Sequence, residues 1–250
     1  MQPPIAGYAL QLGDDALIAA QRLSEWVARA PELEEDVALA NIALDLLGQA
    51  RPLLSYAGEV EGRGRTEDDL AYFRDEREFT NLQITELACG DFGEAIARQL
   101  VFSCYQFELY QRLQSARDET LAAVAAKAVK EVAYHRDHAA QWTLRLGDGT
   151  EESHRRMQAG LTRCWPYVAE IFRPDPLGQE LAARGLAVDA TELRPAWGDY
   201  IAAVLREATL AWPETMPAPG GGRRGLHTEQ LGQLLAEMQY LARCHPGARW

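Results

Sequence analysis

Apolar residues recur along most of this chain at intervals of three and four, the spacing of one helical face. The pattern predicts helices over about 14–29, 32–56, 67–74, 76–88, 92–116, 119–146, 151–172, 197–211 and 228–243. Breaks fall where glycine and proline collect. Ala30-Pro31 divides the first two helices, GEVEGRGR (58–65) reads as a loop, and Gly90 and the GDG at 147–149 close the segments before them. RPDPLG follows the helix at 151–172, and PETMPAPGGGRRG links the last two. Glu32, Glu34, Glu35 and Asp36 favour the positive N-terminal end of the second helix.

That second helix carries two apolar stripes. Leu33, Val37, Ala40, Leu44 and Leu47 form one; Leu39, Ile42, Leu46 and Leu53 form another, nearly opposite. A surface helix needs only one. The surplus stripe must be covered by the C-terminal helices or by a second protein.

Composition agrees with the helical reading. About 70 residues are Ala or Leu against fewer than 20 Val or Ile, so helix formers dominate and β-branched residues are scarce. The formal charge of −12 opposes nucleic-acid binding, which needs a basic footprint, and a polybasic membrane contact. No charge-free run reaches bilayer length, and MQPPIAGYAL lacks the basic and apolar regions of a signal peptide. Cys89, Cys104, Cys164 and Cys244 form no CxxC and read as reduced thiols of a cytoplasmic protein.

The first 150 residues thus make two long helical hairpins joined by a connection too long for a simple turn, the pattern of ferritin-like four-helix bundles with one long crossover. The expected fold is all-α, with the whole of 1–250 a single domain: a bundle over 1–150 and additional helices over 151–250 packed on it. Bundles of this kind hold two irons with a Glu from each of two helices and a Glu-x-x-His from each of the other two. KEVAYHRDHAAQW (130–142) invites that comparison, with His135 on the core stripe and Glu131 and His138 bordering it. The motif is broken. Three residues after Glu131 stands Tyr134, and three after Asp45, the only acid deep in the second helix, stands Gly48. Asn41, Asp45 and Gln49 form a polar stripe without imidazole. By antiparallel level, Glu25 and Glu108 are the nearest bridging carboxylates, but both sit too close to their hairpin bends. The one literal Glu-x-x-His, Glu151 to His154, follows Thr150 and reads as a helix start. No metal ligands and no catalytic residues are assigned to this chain.

LEEDVALANIALDLLGQAR (33–51), DDLAYFRDEREFTNL (68–82), GDFGEAIARQ (90–99), AKAVKEVAYH (126–135), RLGDGTEES (145–153) and GLHTEQLGQLLAEMQYLAR (225–243) closely resemble the C subunits of bacterial ring-1,2-phenylacetyl-CoA epoxidases, components of a multicomponent monooxygenase. The resemblance runs from about Tyr8 to Trp250. It implies a ferritin-like subunit that has lost its own metal site and holds no cofactor. Such a subunit pairs with a homologous catalytic subunit that carries the di-iron centre and binds phenylacetyl-CoA. A reductase supplies electrons, and the complex inserts one oxygen atom of O₂ into the ring. The competing reading is a di-iron monooxygenase or iron-storage protein with its own site, drawing on Glu131, His135, His138 and Asp45.

GGGRRGLH (220–227) sets a glycine run and two arginines before a helix start at Thr228; it reads as a solvated loop, with Arg223 and Arg224 the candidates for an anion or partner contact. DERE (75–78) reads as a charge-paired helix start. Trp165, Trp197 and Trp212 read as core, and the terminal Trp250 as an aromatic that packs into something.

Overall fold

Residues 3–248 are described by the computed structural model, and all regular structure among them is helical. The longest helices are α1 (Pro4–Ser24), α2 (Leu33–Glu61), α5 (Phe92–Leu113) and α6 (Glu119–Gly147). Shorter ones are α3 (Glu67–Tyr72), α4 (Gln83–Glu86), α7 (Glu151–Cys164), α8 (Val168–Ile171), α9 (Pro176–Ala183), α10 (Arg194–Glu207) and α11 (Glu229–Cys244). They fall into two units, residues 3–88 with 220–248, and residues 89–219. The C-terminal hundred residues are therefore shared: α7 to α10 belong with α5 and α6, and α11 with α1 and α2. Trp250 lies outside the described residues.

In the first unit α1 and α2 pack as a hairpin. A Cβ on Gly13 would sit 2.8 Å from Leu54 Cδ2, so the two helices approach closely there. Ile18 and Leu23 of α1 and Leu39, Ile42, Leu46 and Leu53 of α2 are all fully buried. α1 begins ten residues earlier than the sequence pattern predicts, with Pro4 in its first turn, where proline's missing N–H is harmless. Asp14 and Asp15, which look like caps, lie mid-helix and buried. α2 runs through Pro52 to Glu61 and ends on Gly62 at φ 69°. Its length and apolar composition alone would suit a membrane span, against the expectation that no segment could cross a bilayer. A core helix meets the same test, and α2 lays one face against α1. The helix predicted over 76–88 is instead one 3-10 turn at 76–78 and the single-turn α4, within an extended connection.

In the second unit α5 and α6 form the other hairpin. Asp91 accepts the N–H of Glu94 at 2.9 Å and Asp118 that of Leu121 at 2.9 Å, each satisfying an open helix end. α7 crosses α5 so closely that a Cβ on Gly160 would lie 2.8 Å from the Glu94 Cα. Trp165, Trp197 and Phe172 pack together, with Trp197 Nε1 donating to the Val101 carbonyl at 3.1 Å; Trp212 closes the cluster and stays about half exposed. No disulfide joins the four cysteines. Burial pushes the Cys164 thiol up to about 12 and the Cys104 thiol higher still.

Candidate functional site

On α6, Ala128, Val132, His135 and Ala139 are buried, as their 4-3-4 spacing requires. Glu131 stands at the border of that face, where its carboxylate pairs with Lys127 one turn back at 3.2 Å. Tyr134 is half exposed, its ring 6.0 Å from that of His138. The side chain occupying the ligand position thus points to solvent. On α2, Asp45 and Gly48 are half-buried, Gln49 is buried and Asn41 is exposed. Gly48 lies four residues before Pro52, which has no N–H to donate to its carbonyl. The nearest bridging acids are bound to arginine instead, Glu25 to Arg22 at 2.6 Å and Glu108 to Arg136 at 4.0 Å. Glu151 and His154 lie in the first turn of α7, where Thr150 caps the helix and His154 Nδ1 meets the Gly147 carbonyl at 2.7 Å. Among the described residues no three His, Cys, Asp or Glu side chains come together in a group that could hold a metal ion. The donor set of a carboxylate-bridged iron pair does not fit the residues present.

The glycine run is not a solvated loop. Gly220, Gly221, Gly222 and Gly225 are all buried. A Cβ on Gly222 would stand 2.0 Å from the Asn81 carbonyl oxygen, and one on Gly225, at φ 72°, would stand 2.2 Å from that of Arg77. Only glycine permits this contact between the run and the 75–88 connection. Arg223 turns inward. It forks onto Asp15, Nη1 to Oδ1 at 3.0 Å and Nη2 to Oδ2 at 2.6 Å, and donates to the carbonyls of Gln11 and Thr80. Arg224 is exposed.

Sequence reasoning missed the polar layer that Arg223 belongs to. Asp14 is clamped by Arg74 and accepts from the backbone N–H and hydroxyl of Thr80 at 2.8 and 2.9 Å. Arg74 also lies over the Phe79 ring at 4.1 Å. Glu86 accepts the Thr228 N–H at 3.2 Å, and its carboxylate lies 3.6 Å from His227 Nδ1, a charge contact rather than a hydrogen bond. Burial alone would lower the His227 pKa, but Glu86 and the Phe79 carbonyl carry it above the usual value. These groups tie α1, the 75–88 connection and the 220–228 segment into one block. The one signal in the sequence is the pair Asp14-Asp15, which reads as a helix start until its buried cations are known.

The expected second apolar stripe of α2 is real. Leu39, Ile42, Leu46 and Leu53 are buried, whereas Leu33 is 74% exposed, Val37 54%, Leu44 64% and Leu47 38%. α11, the C-terminal helix of the same unit, does not cover it.

An all-helical chain with two long hairpins, a solvent-facing Tyr134 in the place of an imidazole and an exposed apolar stripe on α2 has the form of a ferritin-like protein. The comparison with known families is specific: residues 2–250 match the model of the "Phenylacetic acid catabolic protein" family, and the chain belongs to it. It is 48% identical over 246 residues to the C subunit of 1,2-phenylacetyl-CoA epoxidase from Escherichia coli (strain K12), covering 98% of this chain and 99% of that relative.

Proposed function

We propose that this chain is the non-catalytic, structural subunit of a multicomponent phenylacetyl-CoA 1,2-epoxidase of aerobic phenylacetate breakdown. It pairs with a homologous subunit that carries the di-iron centre and the substrate, within a complex that also includes a reductase and works in the cytoplasm. The observation that carries this reading is the state of α6: Glu131 pairs with Lys127 at the helix border, and Tyr134, in the place of an imidazole, faces water. Imidazole and carboxylate oxygens suit non-haem iron, and a solvent-facing phenol does not replace them. The −12 charge and the exposed leucines favour protein contact over nucleic acid.

The role left to such a subunit is thermodynamic. Binding only the folded form of its partner stabilises that partner by mass action, and a shared interface of obligate size, above about 2,000 Å², limits how far its helices open. Iron analysis tests this reading. The chain purified alone should carry far less than one iron per chain, and co-expression with the di-iron subunit should give a stable complex whose iron tracks that subunit. Two irons per isolated chain, with oxygen turnover, would overturn it.

A further inference from the structure

The exposed stripe of α2 has the geometry of a coiled-coil seam. Leu33, Val37, Ala40, Leu44 and Leu47 step by 4, 3, 4, 3, an average of 3.5 residues, which keeps one line of side chains facing a second helix crossing at about 20°. The small residue in the middle matters most. Ala40, with Ala20 of α1 and Ala43 of α2, lines a hollow of about 300 Å³ flanked by Leu44 and Leu47. Alanines beside exposed leucines form a hole for a bulky knob. Tyr72 and Met238 at the end of this hollow also line a second, open cavity of about 840 Å³, walled by Phe73 and Leu241. Seam, hollow and cavity are therefore one continuous surface on a single unit of the fold. Exposed apolar surface on this scale marks an interaction site.

Charge identifies what sits there. Glu34 flanks the seam and is exposed, and Asp68 and Asp69 line the larger cavity. A second copy of this chain would bring the same acids to the contact, and like charges across an interface select against that pairing. We infer that this surface is the seat of an amphipathic helix from another subunit, with a bulky apolar residue that enters the hollow at Ala40 and lysines or arginines along its flanks. The inference rests on the pairing proposed above and adds where the contact lies and what chemistry it requires.

The test uses the whole chain co-expressed with the di-iron subunit. Val37→Glu combined with Leu44→Glu places two charges in the seam at positions already open to water, so the thermal midpoint of the chain alone should not move. The affinity for the di-iron subunit should fall at least about 100-fold, as when central contact residues of an interface are lost. Met216→Glu, at a residue 88% exposed in the other unit, should bind like wild type. The wild-type complex should also weaken as salt rises, because acid and base flank the contact. If the double variant binds within about threefold of wild type, the seat lies elsewhere although the pairing stands. If wild type itself does not bind, the pairing fails first. If the variant instead abolishes a dimer formed by the chain alone, the occupant is a second copy and the inference is overturned.

Discussion

Asp15 and Arg223 lie 208 residues apart in the chain and meet through two parallel hydrogen bonds of 3.0 and 2.6 Å. The pair is almost wholly out of water and fastens the 220–228 segment to the middle of α1. Removing Arg223 leaves the Asp15 carboxyl buried without its cation, so that it must take up a proton or stay uncompensated. Arg223→Ala should therefore destabilise the fold by about 3–5 kcal/mol, read as a lower urea midpoint. Arg223→Lys should recover only part of this, since an ammonium cannot make the planar fork. A loss under about 1 kcal/mol for the alanine variant would show that the pair contributes no more than a surface bridge.

The same carboxyl governs a pH dependence. Burial pushes Asp15 from its ordinary 3.8 up to about 6, against the pull of Arg223 and the Leu82 N–H. A raised folded-state pKa means that the folded protein holds this proton more tightly than the unfolded chain does. The contribution to stability is then complete below about pH 4 and is lost as pH rises through about 6, a change of roughly 3 kcal/mol. Asp15→Asn cannot titrate. The unfolding free energy of wild type minus that of the variant should fall between about pH 4 and pH 7, and a difference that stays constant would contradict the assignment.

Asp15 also marks where the sequence was legible and where it was not. The two stripes of α2 could be read from spacing alone, and both the buried and the exposed one are where that spacing puts them. The start of α1 could not, because an acid pair is a strong cap signal unless its cations are known, and Arg74 and Arg223 are 60 and 208 residues away. α9 was hidden in the same way: RPDPLG reads as a helix end, yet Asp175 accepts the Gly178 N–H at 3.2 Å and Pro176 begins a new helix. The broken ligand pattern was visible as identities, Tyr134 and Gly48. The hollow at Ala40 was not, since small residues on a stripe read as ordinary core until a neighbouring helix is placed.

Glycine substitutions separate close packing from flexibility. Gly222→Ala forces a Cβ onto a backbone carbonyl 2.0 Å away, and neither backbone can yield without breaking the contact between the run and the connection. It should cost several kcal/mol, about 3 or more, in the manner of an overpacked core. Gly232→Ala, within α11, meets only the Glu76 carboxylate at 2.8 Å, the free end of a flexible side chain. There the helix-favouring methyl should leave stability within about 1 kcal/mol of wild type or raise it. Thermal melts of the two variants check the contrast, and similar losses in both would mean that the run is not held against the connection.

The last prediction concerns α6, where stability and chemistry can be told apart. Glu131→Ala removes an i,i+4 pair with Lys127, worth about 0.3–0.5 kcal/mol on a helix surface, so the fold should hardly notice. In the complex proposed above, if Glu131 has no part in oxygen chemistry, turnover should stay within about twofold and the iron content full. His135→Ala should behave in the opposite sense, because His135 is completely buried and its loss opens a cavity costing about 2 kcal/mol or more. The iron of the complex should persist in that variant as long as the complex stays folded. Assays of turnover, iron and melting on the two assembled variants distinguish the cases. A Glu131 variant that melts like wild type but loses more than about tenfold in turnover would return that carboxylate to the chemistry.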